Sequence, residues 1–145
     1  MNKKIKIIII LSILLFIYTC ISAFSYAQNV SSDIAENVFR LHVIANSDSD
    51  EDQALKYKIR DNLLNYMNEI CINCKNKQEA ICLVEKNKEN FKQIAIQTII
   101  DEGYSYSVNI NIGNFEFPTK DYGDISLPAG FYDALKVEIG DAKRS

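Results

Sequence analysis

One histidine stands close to a cluster of acidic residues, and these residues are the strongest candidates in the sequence for catalysis or metal binding. His42 is the only histidine of the chain, and Asp48, Asp50, Glu51 and Asp52 follow it within ten residues. Carboxylates beside an imidazole can transfer protons or hold a calcium ion. On this interpretation the chain would be an envelope hydrolase or a metal-binding enzyme that uses His42 and the nearby acids.

The physics of a helix start accounts for the same acids without any chemistry. Residues 46–49, Asn-Ser-Asp-Ser, have the side chains of a turn and a helix N-cap. Residues 50–52 then fall in the first helical turn, where negative charge suits the positive end of the helix dipole. The Gly and the distant Glu of an EF-hand loop are missing. We therefore expect His42 to be a hydrogen-bonded strand histidine, and we predict no catalytic residue, no metal and no cofactor.

Three cysteines form a second group that could do chemistry. Cys71 and Cys74 are spaced as Cys-x-x-Cys, and Cys82 lies further along the chain. Such a pair can be a redox motif or half of a zinc site. A redox pair is expected at a helix N-terminus after a strand, and no common zinc spacing fits these cysteines with His42. The sequence instead predicts that two of the three pair in a disulfide of an exported chain, without showing which two.

The first 27 residues predict a signal peptide or an N-terminal membrane anchor. Three lysines lie among the first six residues, and residues 7–24 carry no charge. This apolar run is just long enough to span a hydrocarbon layer of about 30 Å. Ser25-Tyr26-Ala27 places small residues where a cleavage site before Gln28 needs them. Both alternatives export residues 28–145, because the positive flank stays in the cytoplasm.

The charge balance excludes several classes of partner. The chain has 145 residues and a net charge of −3, but its first three lysines all precede Ala27, so the remainder is close to −6. An acidic domain repels nucleic acid and anionic lipid at a distance. We predict no nucleic-acid partner, and contact with a membrane only through the N-terminal segment.

The elements that must position these residues follow from the apolar periodicity. Alternation over residues 39–45 predicts a strand that ends at the acidic turn. Helical spacing predicts a helix over residues 50–70 and a second over residues 78–102. The second helix is wholly polar between residues 85 and 90, where we expect a kink.

The last third of the chain predicts strands. Residues 104–112 alternate without a fault, which is typical of a half-buried antiparallel strand. Gly113-Asn114 predicts a turn into a hairpin partner at residues 115–117, and a further strand is predicted at residues 134–139. The order favours a single α+β domain over residues 28–145, in which two helices pack on one face of a mostly antiparallel sheet in two layers.

Two blocks of sequence resemble the stage II sporulation protein R family. The first is Arg-Leu-His-Val-Ile-Ala-Asn-Ser-Asp at residues 40–48, followed by Glu-Asp-Gln-Ala-Leu-Lys at residues 51–56 and Lys-Ile-Arg-Asp at residues 58–61. The second is Leu-Pro-Ala-Gly-Phe-Tyr-Asp-Ala-Leu-Lys-Val at residues 127–137, with Ile-Gly at residues 139–140. Together, the two blocks and the order between them span most of the exported part.

The resemblance implies an exported sporulation signal that is not an enzyme. Proteins of this family are made in the forespore and cross into the space between the two septal membranes. There they trigger a membrane-embedded aspartic protease of the mother cell, which removes the pro-sequence of the factor sigma-E. The resemblance therefore implies a sporulation protease as partner, and the intermembrane space of the septum as location.

The end of the chain departs from the family pattern. After Ile139-Gly140 the family continues into a Pro-rich tail with Trp and Cys, whereas this chain stops at Ser145. We therefore expect a domain truncated at its C-terminus that lacks a final strand, which would leave an unpaired sheet edge.

The acidic turn is also the predicted partner-binding surface. Capping needs only one or two side chains, so the polar run exceeds what a helix start requires. Its charge is dense enough to steer a partner with a basic outer loop. The residues predicted to bind the protease are Asn46, Ser47, Asp48, Asp50, Glu51 and Asp52.

The N-terminal segment leads to a first testable prediction. We expect cleavage after Ala27, because the residues on its N-terminal side fit a cleavage site. N-terminal sequencing of secreted material should begin at Gln28. Recovery of chains that still begin at Met1 in membranes would contradict cleavage and favour the anchor.

Overall fold

The computed structural model describes residues 2–142, so Met1 and residues 143–145, the last three of the predicted shortened C-terminus, lie outside the described residues. Four helices and five strands make up the described part. In chain order they are α1 (Lys3–Asn37), β1 (Phe39–Ile44), α2 (Asp50–Cys71), α3 (Lys77–Lys86), α4 (Lys88–Asp101), β2 (Val108–Phe117), β3 (Lys120–Tyr122), β4 (Ile125–Leu127) and β5 (Gly130–Ile139).

The main sheet has three strands in the order β1-β5-β2. β5 pairs with β1 in parallel, from Phe39 opposite Asp133, and with β2 antiparallel over its whole length. The predicted α+β class is confirmed. The expectation that the last strand would be left with an unpaired edge is wrong, because β5 is the central strand. Its position suits its sequence, since Ala134 and Leu135 on opposite faces are both fully buried.

The hairpin predicted around Gly113-Asn114 is also wrong. β2 runs straight through both residues, which pair with Ala134 and Asp133 of β5. The long ladder to β5 holds Gly113 in the extended conformation, and the ring of Phe115 lies within contact distance of the position where a side chain would start. The hairpin that does form joins β3 to β4, with Lys120 opposite Leu127.

The sequence predicted two helices on one face of the sheet, and the structure places three there, α2, α3 and α4. The long second helix is divided at Asn87, inside the polar stretch where a kink was expected, and becomes α3 and α4. α2 and α4 pack side by side, and Asn62 donates a hydrogen bond to Thr98 at 2.9 Å. The core between helices and sheet contains Leu55, Ile59, Leu63, Val84, Phe91, Ala95, Ile99, Val108, Ile110, Leu135, Val137 and Ile139.

The C-terminal end of α1 covers part of the other face of the sheet. Ile34, Ala35 and Val38 pack against a small aromatic cluster formed by Phe117 and Tyr132. This packing explains why the segment after Ala27 is helical to Asn37. Within the described residues α1 is the single helix long and apolar enough to cross a membrane, a property that signal sequences share.

α1 and β5 run in the same general direction along their contact. Val38 precedes Phe39, which is level with Asp133 in the sheet. Gln28 lies about 15 Å earlier along the helix at 1.5 Å per residue. It lines a cavity with Ala129 and Phe131, at the start of β5. The apolar part of α1 therefore extends from the end of the domain where β5 begins, which we call the proximal end. The opposite end, where β1 and β5 finish, is the distal end.

The helix–sheet core leads to a prediction about stability. Ile59 is fully buried between α2 and the sheet, whereas Ile100 is 57% exposed. Ile59→Ala should lower the free energy of unfolding by about 2–5 kcal/mol, because it removes buried methyl groups and leaves a cavity. Ile100→Ala removes the same atoms from a solvent-exposed site and should change it by about 0.5 kcal/mol or less. Urea unfolding followed by circular dichroism measures both, and equal losses would contradict the assignment of the core.

Candidate functional site

The acidic turn between β1 and α2 forms the distal end of the domain. β1 ends at Ile44, and α2 begins at Asp50 with Ser49 as its N-cap. The Ser49 hydroxyl accepts a hydrogen bond from the backbone N–H of Asp52 at 3.2 Å, which satisfies one free donor of the helix start. The sequence interpretation of this run as a turn followed by a cap is confirmed, with Ser49 as the capping residue.

Asp52 is the centre of a buried hydrogen-bond network within this turn. Its side chain is only 4% exposed, although it stands in the first turn of a helix. Its carboxylate accepts from the Ser47 hydroxyl at 2.6 Å and from the Asn46 amide at 2.9 Å. A buried carboxylate requires such partners, because its desolvation is otherwise unfavourable by several kcal/mol, as an order of magnitude.

The network shifts the ionisation of two groups. Hydrogen bonds from Ser47 and then Asn46 hold the pKa of the Asp52 carboxyl below its ordinary value, against the opposing effect of burial, and Tyr106 adds a weaker contribution. The same hydrogen bond raises the pKa of the Tyr106 hydroxyl, since ionisation of the phenol would place two negative charges together. Asp52 is therefore a charged acceptor at neutral pH.

Asn46 connects this turn to the end of β5. Its side-chain oxygen accepts a hydrogen bond from the backbone N–H of Asp141 at 3.0 Å. Gly140 lies against the same side chain, and a Cβ at this position would stand 2.2 Å from the Asn46 oxygen. Gly140 also has a φ of +57°, which only glycine adopts easily. The two sequence blocks therefore meet here, since Asn46 belongs to the first block and Gly140 to the second.

The six residues predicted to bind a partner divide into two groups. Asn46, Ser47 and Asp52 point into the network and hold the turn together. The other three, Asp48, Asp50 and Glu51, are exposed. Partner binding stays a prediction. It now concerns Asp48, Asp50 and Glu51, because the side chains of the other three residues are occupied by hydrogen bonds within the domain.

His42 lies apart from most of the acids that the enzyme interpretation would need. It projects from the uncovered face of the sheet, with its ring centroid 5.1 Å from that of Phe117. It lines an open cavity of about 360 Å³ together with Asp48, but the other three acids do not reach this cavity. Among residues 2–142, no three His, Cys, Asp or Glu side chains are grouped to hold a metal ion.

Arg40 is a residue of this strand whose role the sequence interpretation missed. It is 92% buried, and its guanidinium lies 4.0 Å from the ring centroid of Phe117 and 4.9 Å from that of Tyr132. It also donates to the Tyr122 hydroxyl at 3.3 Å. Cation–π contacts of this kind can contribute about 2 kcal/mol when desolvated. Aromatic side chains from three segments distant in sequence, Phe117, Tyr122 and Tyr132, bury it.

The three cysteines lie near the junction of α2 and α3. All are free thiols in the structure. Cys71 and Cys74 are close enough to hydrogen-bond, and burial followed by this contact raises the pKa of the Cys71 thiol. Cys74 and Cys82 line one shallow groove. The structure therefore brings the predicted cysteines together, and disulfide pairing among them stays a prediction.

Comparison with known proteins gives two matches and one absence. The family model described as stage II sporulation protein R matches residues 35–145. A protein of Bacillus subtilis (strain 168) named stage II sporulation protein R is 33% identical over 115 residues, which is 79% of this chain and 51% of that relative. The chain thus spans about half the length of the curated relative it matches. No solved structure matches it.

Fold and site together define a small α+β domain behind an N-terminal apolar helix, with a structured acidic turn at the opposite end. Its two most informative blocks meet at Asn46 and Gly140, within the span of the matching family model. The chain belongs to the stage II sporulation protein R family. The resemblance noted in the sequence is confirmed.

The Asp52 network leads to a prediction about pH. Asp52→Asn should lower the free energy of unfolding at pH 7 by about 1–3 kcal/mol, because the new amide group faces the donors of Ser47 and Asn46. A depressed pKa stabilises the fold above the pKa of the unfolded carboxyl, about 3.9. This contribution is lost as the pH falls through the lower folded value. The gap between wild type and variant should therefore be full at pH 6 and shrink below about pH 4.

Asp50→Asn is the matched control for this experiment. Asp50 lies in the same helical turn but is exposed, so its loss should reduce stability by about 1 kcal/mol or less through the helix dipole. Urea midpoints at several pH values measure both variants. If Asp52→Asn lowers the free energy of unfolding at pH 6 no more than Asp50→Asn does, the network does not stabilise the fold beyond the helix-dipole effect.

Proposed function

We propose that this chain is an exported sporulation signal that activates a membrane-embedded aspartic protease of the mother cell, and so leads to processing of pro-sigma-E. It would be made in the forespore and act in the intermembrane space of the septum, as an activator and not as an enzyme. Membership of the family supports this role. The observation that carries the proposal is the separation of the apolar helix from the exposed acidic turn by the whole length of the domain.

The separation has a clear geometric origin. α1 extends from the proximal end, at the start of β5. The turn that carries Asp48, Asp50 and Glu51 lies at the distal end, where the ten residues of β5 finish. A strand of that length spans about 33 Å. A chain held in one membrane by α1 would thus present its acidic turn toward an opposing membrane, where a protease of the neighbouring cell would be located.

Electrostatics supports the same surface. Asp48, Asp50 and Glu51 are exposed and contiguous, and the capped helix start fixes the turn that carries them. Such a preorganised acidic patch attracts a basic loop and speeds encounter more than it strengthens the final complex. Asp52 is not part of this patch, because its carboxylate is buried and accepts hydrogen bonds from within the domain. The activator role needs no catalytic group. This agrees with the state of Asp52, one of the acids of the enzyme interpretation, whose carboxylate is bound by internal hydrogen bonds.

The proposal is tested by neutralising the exposed acids alone. The triple variant Asp48→Asn, Asp50→Asn, Glu51→Gln keeps Ser49 as the cap and leaves Asp52 untouched. Processing of pro-sigma-E, on co-expression with the protease and its substrate, should fall at least tenfold, because the attraction that brings the partners together is removed. Western blotting of the processed factor measures this.

The control removes the same number of charges elsewhere. Glu69, Glu85 and Asp124 are exposed on α2, on α3 and between β3 and β4, and their neutralisation should leave processing unchanged. Equal processing by a stably folded acidic-turn variant and by this control would contradict the docking surface. Absence of processing by the unaltered chain would contradict the activator role itself.

A further inference from the structure

We propose that the loop that leads into β5, residues 127–131 with the sequence Leu-Pro-Ala-Gly-Phe, enters the headgroup layer of the membrane that holds α1. The domain would then have a second contact with lipid. The sequence analysis had predicted contact with a membrane only through the N-terminal segment. This inference rests on the form of the proposed function in which α1 stays in a membrane, that is, on the anchor and not on cleavage after Ala27.

The loop exposes apolar surface without an internal explanation. Phe131 is 63% exposed, although it stands in the central strand of the sheet. Its neighbour Tyr132 turns to the other side and is fully buried. No charged residue occurs from Ile125 to Tyr132. An exposed Phe at the start of a strand, next to an uncharged stretch, has the apolar character of side chains that enter a membrane interface.

The position of the loop along α1 identifies lipid as the covering surface. Phe131 and Ala129 line a cavity with Gln28 of α1. Gln28 lies four residues beyond Phe24, the last residue of the uncharged apolar run, which is about 6 Å at 1.5 Å per residue. The hydrocarbon core of a bilayer is about 30 Å thick and the whole bilayer about 40–45 Å, so each headgroup layer is about 5–7 Å thick. Phe131 therefore lies at headgroup depth when the apolar run fills the hydrocarbon layer.

The loop is also held ready for insertion. The Tyr132 hydroxyl donates to the backbone carbonyl of Pro128 at 2.7 Å. The backbone N–H of Ala129 donates to the Thr119 hydroxyl at 3.1 Å. These bonds satisfy polar backbone groups that would otherwise oppose transfer out of water, and they limit the entropy lost on insertion.

The local charge permits the contact despite the acidity of the whole domain. Glu116 lies opposite Phe131 in the sheet and is exposed, so its carboxylate can stay solvated at headgroup depth. Lys77 and Asp133 form an ion pair at 2.6 Å, so their charges offset each other. The insertion is thus driven by apolar surface, and it requires no anionic lipid. A second contact beside α1 would also fix the tilt of the domain, since a helix alone leaves rotation about its axis free.

Tryptophan fluorescence tests the proposal directly, because the chain contains no tryptophan. The full chain carrying Phe131→Trp is reconstituted into phosphatidylcholine vesicles, with and without lipids brominated near the headgroup. Emission should shift to shorter wavelength relative to a distal reporter, and brominated lipid should quench at least half of it. Ile100→Trp, at a 57% exposed site on the distal part of α4, is the control and should be quenched little.

Two outcomes would overturn the proposal, and a second variant covers a failure to fold. Quenching of Phe131→Trp equal to that of Ile100→Trp would place the loop in water. A blue shift without quenching would show that protein, and not lipid, covers the loop. If Phe131→Trp fails to fold by circular dichroism, Ala129→Trp replaces it at an exposed position of the same loop, with the same criteria. No protease is present, so the result is independent of whether the chain activates one.

Discussion

The burial of one charged carboxylate, Asp52, determines how the distal end of this domain is built. A carboxylate that is 4% exposed must be surrounded by donors, and here they come from Ser47 and Asn46 of the turn and from Tyr106 before β2. Asn46 is thereby oriented so that its other side-chain atom accepts from the backbone after β5. The network joins three chain segments, and it leaves the neighbouring acids Asp48 and Glu51 outside, where they form a rigid charged surface.

The parallel pairing of β1 and β5 explains why this surface lies opposite the apolar helix. Parallel strands end at the same edge of a sheet, so the acidic turn after β1 necessarily meets the end of β5. α1 precedes β1 without a loop, so it emerges from the other edge. The crossover through α2, α3 and α4 supplies the covering layer between the two parallel strands. Topology alone thus places the apolar helix and the acidic turn at opposite ends of the domain.

Local sequence predicted the elements better than their pairing. Apolar alternation located β1, helical spacing located α2, and a polar stretch located the break at Asn87. It failed at Gly113, where turn-forming residues are held extended by ten ladder pairs with β5. It also predicted a partner-binding surface at the acidic turn, which stays a prediction, and it treated the six residues of that turn alike. The inward role of Asp52 and the contact of Asn46 with Asp141 depend on residues distant in sequence, which periodicity does not describe.

β1 physically joins the two ends. Near its start, Arg40 lies against the rings of Phe117 and Tyr132, which also receive the last turn of α1. Just beyond its end, Asn46 enters the Asp52 network. Six residues of extended strand, about 20 Å, separate these two fixed points. Both ends are held by buried contacts, and the strand is paired throughout with β5. The acidic turn and the packed end of α1 are therefore joined by a paired strand and not by an unpaired linker.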